Sequence, residues 1–170
     1  MDLTFYSQFW PAFVATVVGG ITLAAFFFVL KEWLFSLPSL TGVWECEQIT
    51  AMSANNPFIG MKVTYHVVLL QAKDKLVGDG EKDREDGANG KIDHSGKGRV
   101  RINVQGGVEK FITKSDRVTI HWMENGARIT STIHNLRISG SKNSGKLFGQ
   151  FYSTAGKSAG TATWTRISSG

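Results

Sequence analysis

The hydrophobic pattern divides the chain into two unlike parts. From Pro11 to Leu30 no residue is charged, and nearly all are apolar. About 20 apolar residues in a helix cross the roughly 30 Å hydrocarbon core of a bilayer. Residues near 11 to 35 are therefore expected to form one N-terminal transmembrane helix. Phe9 and Trp10 precede the run, and Lys31 and Trp33 follow it. Amphipathic rings and a snorkelling lysine suit the two interfaces. A cleaved signal peptide needs a basic start, an apolar core of about 7–15 residues and a small-residue cleavage site. The first ten residues carry Asp2 and no Lys or Arg, the run is longer, and no Ala-x-Ala follows. An uncleaved anchor is the expectation.

After Pro38 the period changes. Short alternating runs are punctuated by Gly, Asn, Asp and Ser, with no helical period. The predicted strands are Gly42–Thr50, Met61–Ala72, Leu76–Arg84, Arg99–Gln105, Val108–Thr113, Val118–Met123, Arg128–Ser139, Lys146–Thr154 and Thr161–Ile167. In the second, Val63, Tyr65, Val67 and Leu69 share one face. In the fourth, Arg99, Arg101 and Asn103 oppose Val100, Ile102 and Val104. Asn125-Gly126 reads as a tight hairpin turn, since both residues accept positive φ. Asn55-Asn56-Pro57 marks a turn. The acid-rich stretch from Asp79 to Gly98 lacks the calcium-loop spacing and reads as a solvated hairpin. Eight or nine short strands without helices indicate an all-β barrel or sandwich. The expected fold is a small antiparallel up-and-down β-barrel of about eight strands behind the helix, since closure removes exposed edges. The expected division is 1–38 for the membrane segment and 39–170 for the barrel.

Charge refines the picture. Residues 41–98 carry 7 basic and 9 acidic groups, a balance of −2, whereas residues 99–170 carry 11 and 3, a balance of +8. A basic half-domain suits an anionic partner, whether lipid headgroups, nucleic acid or a nucleotide. Membrane attachment favours anionic lipid or a small phosphate ligand over polymeric nucleic acid. Lys31 and the lone Cys46 favour a cytoplasmic barrel, because a single thiol forms no disulfide within the chain. Thr16, Gly20 and Ala24 lie at spacing four beside Ala15 and Gly19, a pattern that lets helices approach closely in lipid.

No catalytic constellation emerges. His66, His94, His121 and His134 occur singly, with no metal-ligand pair at short spacing, and no cofactor motif is present. His121 and His134 fall on adjacent predicted strands and could meet. The stretch Gly140–Lys146 lacks the strand-to-helix context of a phosphate loop, and Cys46 reads as a buried strand residue. A binding module is expected rather than an enzyme. For a small ligand at the barrel mouth or interior, the candidate residues are Tyr65, Arg99, Arg101, Trp122, Arg128, Arg137 and Tyr152. Their aromatic faces stack on bases and their guanidinium groups grip phosphate.

Two resemblances enter here. Thr41-Gly42-Val43-Trp44, with Thr163-Trp164-Thr165-Arg166 on the last strand, resembles the lipocalin and calycin barrels. That likeness implies a structural pair in which Arg166 packs across Trp44. It also offers an alternative function, a membrane-tethered carrier or scaffold for a lipid or other apolar ligand. A membrane helix followed by a minimal barrel resembles the transmembrane β-barrel effectors of bacterial antiphage systems that signal with cyclic oligonucleotides. This likeness implies an inner-membrane protein whose cytoplasmic barrel binds a cyclic di- or oligonucleotide, which triggers or restrains assembly of the membrane helices through a face including Thr16, Gly19, Gly20 and Ala24. Many such effectors have two membrane helices, where this chain has one apolar run.

Overall fold

The computed structural model describes residues 3–34, 37–88, 90–94, 98–111, 115–126, 128–138 and 145–169. The chain forms two units, Met1–Ser36 and Leu37–Gly170. The first is helix α1, Leu3–Leu34, which contains Pro11. It starts earlier than expected, upstream of the proline. Residues Trp10–Leu30 are long and apolar enough to span a membrane. In hydrocarbon a polar group must find its partner within the protein. Thr16 and Thr22 do so by donating to the carbonyls of Ala12 (2.9 Å) and Val18 (2.8 Å).

The second unit is a closed eight-strand antiparallel barrel. Its strands are β1 (Gly42–Met52), β2 (Lys62–Ala72), β3 (Lys75–Gly87), β4 (Gly90–Asp93), β5 (Val100–Glu109), β6 (Arg117–Asn125), β7 (Ile129–Ile138), β8 (Lys146–Ser153) and β9 (Ser158–Ser169). Each long strand pairs with its sequence neighbour, and β9 returns to β1, so the ring closes. Strand β4 is a short addition. Gly87 pairs with Gly90 and Arg84 with Asp93, on the edge of β3 whose earlier residues pair with β5. The acid-rich stretch is thus partly sheet, with β3 continuing through it to Gly87.

Two local readings are corrected. Val108 does not begin a new strand, because β5 runs unbroken through Gly106-Gly107. Gly106 is there for contact: a Cβ on it would lie 2.5 Å from the Thr119 carbonyl oxygen. The space is tighter still at Gly149 and Gly160, where an added Cβ would lie 2.0 Å from the carbonyl oxygens of Asn135 and Ile49 on the neighbouring strands. Missing side chains at such points let a small sheet curl on itself. Asn125-Gly126 is not the expected turn, since neither residue has positive φ and Asn125 still pairs with Ile129. Between β2 and β3, the Lys73-Asp74-Lys75 stretch forms a tight hairpin as the sequence offers, with Ala72 paired to Lys75 and Lys73 at φ 59°.

Alternation fills the interior. Val63, Tyr65, Val67 and Leu69 all point inward and are buried, as their period of two predicts. At the centre Trp122, Trp164, His134 and Phe151 pack together, with the Trp122 and His134 rings 4.2 Å apart. One end is plugged by Leu40 and Trp44. The Arg166 guanidinium lies 4.8 Å from the centre of the Trp44 ring, the cation–π pair that the lipocalin likeness implied. The other end is covered by the loop after β1, where Ser53 Oγ and Ala54 N both donate to the Gly156 carbonyl at 2.9 Å.

Candidate functional site

Beneath that cover lies a polar cup of about 140 Å³, lined by groups including Thr50, Tyr65, Lys82, Glu85 and Glu124. Lys82, on the inner face of β3, donates to Glu85 (2.8 Å) and Glu124 (2.5 Å), and Tyr65 donates to Glu124 at 3.1 Å. Burial raises the Glu85 carboxyl, but the hydrogen bond and charge of Lys82, aided by His94, outweigh it and hold the group below its ordinary value. Burial, then the Glu124 charge, pushes the Tyr65 phenol well up.

Deeper in, His134 Nδ1 accepts from Trp164 Nε1 at 3.2 Å, and Nε2 lies 2.9 Å from the Gln48 carboxamide. A neutral ring that accepts at Nδ1 carries its proton on Nε2, and of the Gln48 carboxamide only the oxygen can accept it. Burial keeps the ring neutral, with a pKa lowered to about 3. Ligand pockets usually measure about 300–1,000 Å³, so this cup is small for a nucleotide. Tyr65 and Trp122, two of the seven expected ligand residues, are occupied with this internal packing and bonding. Cys46 is fully buried, and burial, with the nearby Glu47 and Glu45 charges, raises its thiol.

The other five expected residues face outward and fall into separate places. Arg128 stands exposed just before β7. Arg99 and Arg101 border a groove of about 850 Å³ over β2, β3 and β5, together with Asp79 and Glu81. Arg99 is 3.0 Å from Glu81, and Asn103 donates to Asp79 at 2.8 Å, so both acids of this groove are engaged and its lining carries as many carboxylates as guanidinium groups. His121 faces outward to Ser131 Oγ at 2.7 Å while His134 faces inward, so the two histidines do not meet.

Arg137 and Tyr152 share the outer face of β6 to β9 with residues that the sequence did not single out. Arg117 stands directly across from Arg137, and Arg137 across from Phe148. With Asn135, Gln150 and Thr161 they line a groove of about 550 Å³. A smaller hollow of about 240 Å³ adjoins it, where Phe111 and Ser115 meet the same two arginines. The Arg117 guanidinium lies 5.9 Å from the Phe111 ring. Tyr152 donates to Gln150 at 3.2 Å, beside the groove. Among the described residues no acid lines either hollow. Glu109 reaches Arg117 only at 4.0 Å, both side chains being at least half exposed. Among the described residues Arg137 has no ion-pair partner. Like charges directly across a sheet repel, and an anion between them relieves the repulsion. Phe148 is 53% exposed, leaving its ring open to a flat partner. The sequence hides this cluster because it exists only once β6, β7 and β8 are in register.

Fold and face together define a small closed β-barrel that follows one apolar helix, with its unmatched positive charge on the outer wall. No family model and no curated protein matches the chain. Among solved structures, a de novo designed fluorescence-activating β-barrel is similar at a TM-score of 0.42 and 12% identity, covering 75% of this chain and 93% of that one.

Proposed function

We propose that the chain is a membrane-anchored effector whose barrel binds a cyclic di- or oligonucleotide on its outer wall, at Arg117 and Arg137, and so controls association of the membrane helices and disruption of the inner membrane. The observation that carries this reading is the pair of facing arginines flanked by Phe111 and Phe148 without a lining acid. Guanidinium groups take phosphate in a bidentate way, and an exposed ring stacks on a base. The packed centre directs a ligand of that size outside. Lys31 and the lone Cys46 support a cytoplasmic barrel.

The test is a thermal-shift and calorimetric screen of the full chain against cyclic dinucleotides and trinucleotides. A ligand at 100 times its Kd adds roughly 2.7 kcal/mol of stability. Binding is expected to weaken by at least about tenfold in Arg117→Ala/Arg137→Ala, given about 1.5–3 kcal/mol for a hydrogen bond to a charged group. It should persist in Arg99→Ala/Arg101→Ala. Absence of binding, or loss confined to the second pair, would overturn the assignment.

The helix arm has its own test. A Cβ on Gly20 meets nothing within 4 Å in the single chain, so Gly20→Leu leaves the isolated helix undisturbed. Toxicity on expression should fall while membrane insertion is kept. Full toxicity would reduce the helix to a tether.

A further inference from the structure

The segment that leads into the barrel is stitched down. Leu40 is 3% exposed, its N–H donates to Gln71 Oε1 at 2.7 Å, and its carbonyl accepts from Trp44 Nε1 at 2.9 Å. Gln71 N donates to Thr41 Oγ1 at 3.0 Å, and the Arg166 guanidinium donates to the Ser39 carbonyl. Only Phe35 and Ser36 lie between Leu34, where α1 ends, and Leu37, where the barrel unit begins.

The barrel end that receives this segment is also its basic end. The β2–β3 turn supplies Lys73 and Lys75, the β5–β6 connection Lys110 and Arg117, and the ends of β7 and β8 Arg137 and Lys146. Asp74, Glu109 and Asp116 are the acids among the described residues of the same turns. The opposite end mixes Arg84, Lys91, Arg128 and Lys157 with Asp83, Asp86 and Asp93 in the sequence, leaving little net charge.

We propose that this stitched, basic end is a docking surface for the anionic phospholipid headgroups of the membrane that holds the span. Two observations choose the occupant. The segment stitched to this end follows the apolar span directly in the sequence. Basic groups gathered at one end are attracted to an anionic leaflet within a Debye length, about 8 Å in physiological salt. Lysine, a compact charge on a flexible stem, suits a fluid headgroup layer better than a shaped ligand. Arg117 and Arg137 also border the ligand groove, whereas Lys73, Lys75 and Lys146 do not line it, so charge changes at those lysines test the surface separately.

The experiment uses the full chain in nanodiscs of neutral phosphatidylcholine, or of phosphatidylcholine mixed with phosphatidylglycerol. A nitroxide is placed at the basic end through Ser168→Cys, or at the opposite end through Asn56→Cys, both exposed positions. Buried Cys46 stays unlabelled. Relaxation by a nickel-chelating lipid is then read. The Ser168→Cys label is expected to relax roughly threefold more strongly in anionic than in neutral discs, with the Asn56→Cys label little changed. High salt and Lys73→Glu/Lys75→Glu/Lys146→Glu should each abolish the difference, and Lys→Gln at the same sites should halve it. Near-ultraviolet dichroism from the buried tryptophans confirms that each variant is folded. Equal relaxation in both lipids, equal relaxation at both ends, or an effect that survives charge reversal in a folded variant would overturn the proposal.

Discussion

Acidifying the protein from pH 7 to pH 4 is expected to remove about 3 kcal/mol of barrel stability, traced to His134. The folded ring is neutral and fully buried, with a pKa lowered from 6.5 to about 3. The unfolded chain takes up a proton near the ordinary histidine value, and the folded barrel refuses it. Protons then bind preferentially to the unfolded state, so stability falls as pH falls through that window. The slope approaches about 1.4 kcal/mol per pH unit. Denaturant unfolding of the detergent-solubilised chain, followed by tryptophan fluorescence, measures it. His134→Gln keeps a hydrogen-bonding group beside Gln48 and Trp164 but cannot titrate, and its profile should be nearly flat over pH 6 to 4.5. A profile as steep as that of the wild type would remove His134 as the source. Nitrogen shifts of the ring should also report a neutral imidazole at pH 5.

Lys82→Met is expected to destabilise the barrel by about 3 kcal/mol at pH 7. Lys82 is the cation between Glu85 and Glu124, and its side chain is only 10% exposed. Removing it leaves two carboxylates near one another in a half-dry cup. Replacing Glu124 as well should recover much of the loss, because the damage comes from unmatched charge. Denaturation midpoints of Lys82→Met, Glu124→Leu and the double variant form the cycle that measures the coupling. A double variant that loses the sum of the two single losses would mean that Lys82 and Glu124 act independently.

The sequence disclosed features that depend on a period of two. Val63, Tyr65, Val67 and Leu69 announced an inner face, and Ile102 and Val104 announced another against outward Arg101. The Gly-x-Trp opening located the plug, because Trp44 and Arg166 mark strands that must pair to close the ring. Features set by contact between distant strands were hidden. Gly106 looked like a strand break, yet its lack of a side chain answers to Thr119 across the ladder. Lys82 looked like one more surface lysine, since nothing nearby in sequence reveals that Glu124 stands opposite across the mouth. The candidate site was half legible. Arg137 and Tyr152 were chosen by residue type, whereas Arg117 and Phe148 join them only through the registers of β6, β7 and β8.

Closure of the ring has a mechanical consequence. Every long strand is bonded on both flanks, so none can slip without breaking two ladders at once. A stave cannot swing aside, and among the described residues the one strand with a neighbour on one side alone is the four-residue β4. On the proposed reading, a ligand on the outer wall acts by changing the charge that the wall displays, and the closed sheet behind it serves as a fixed frame.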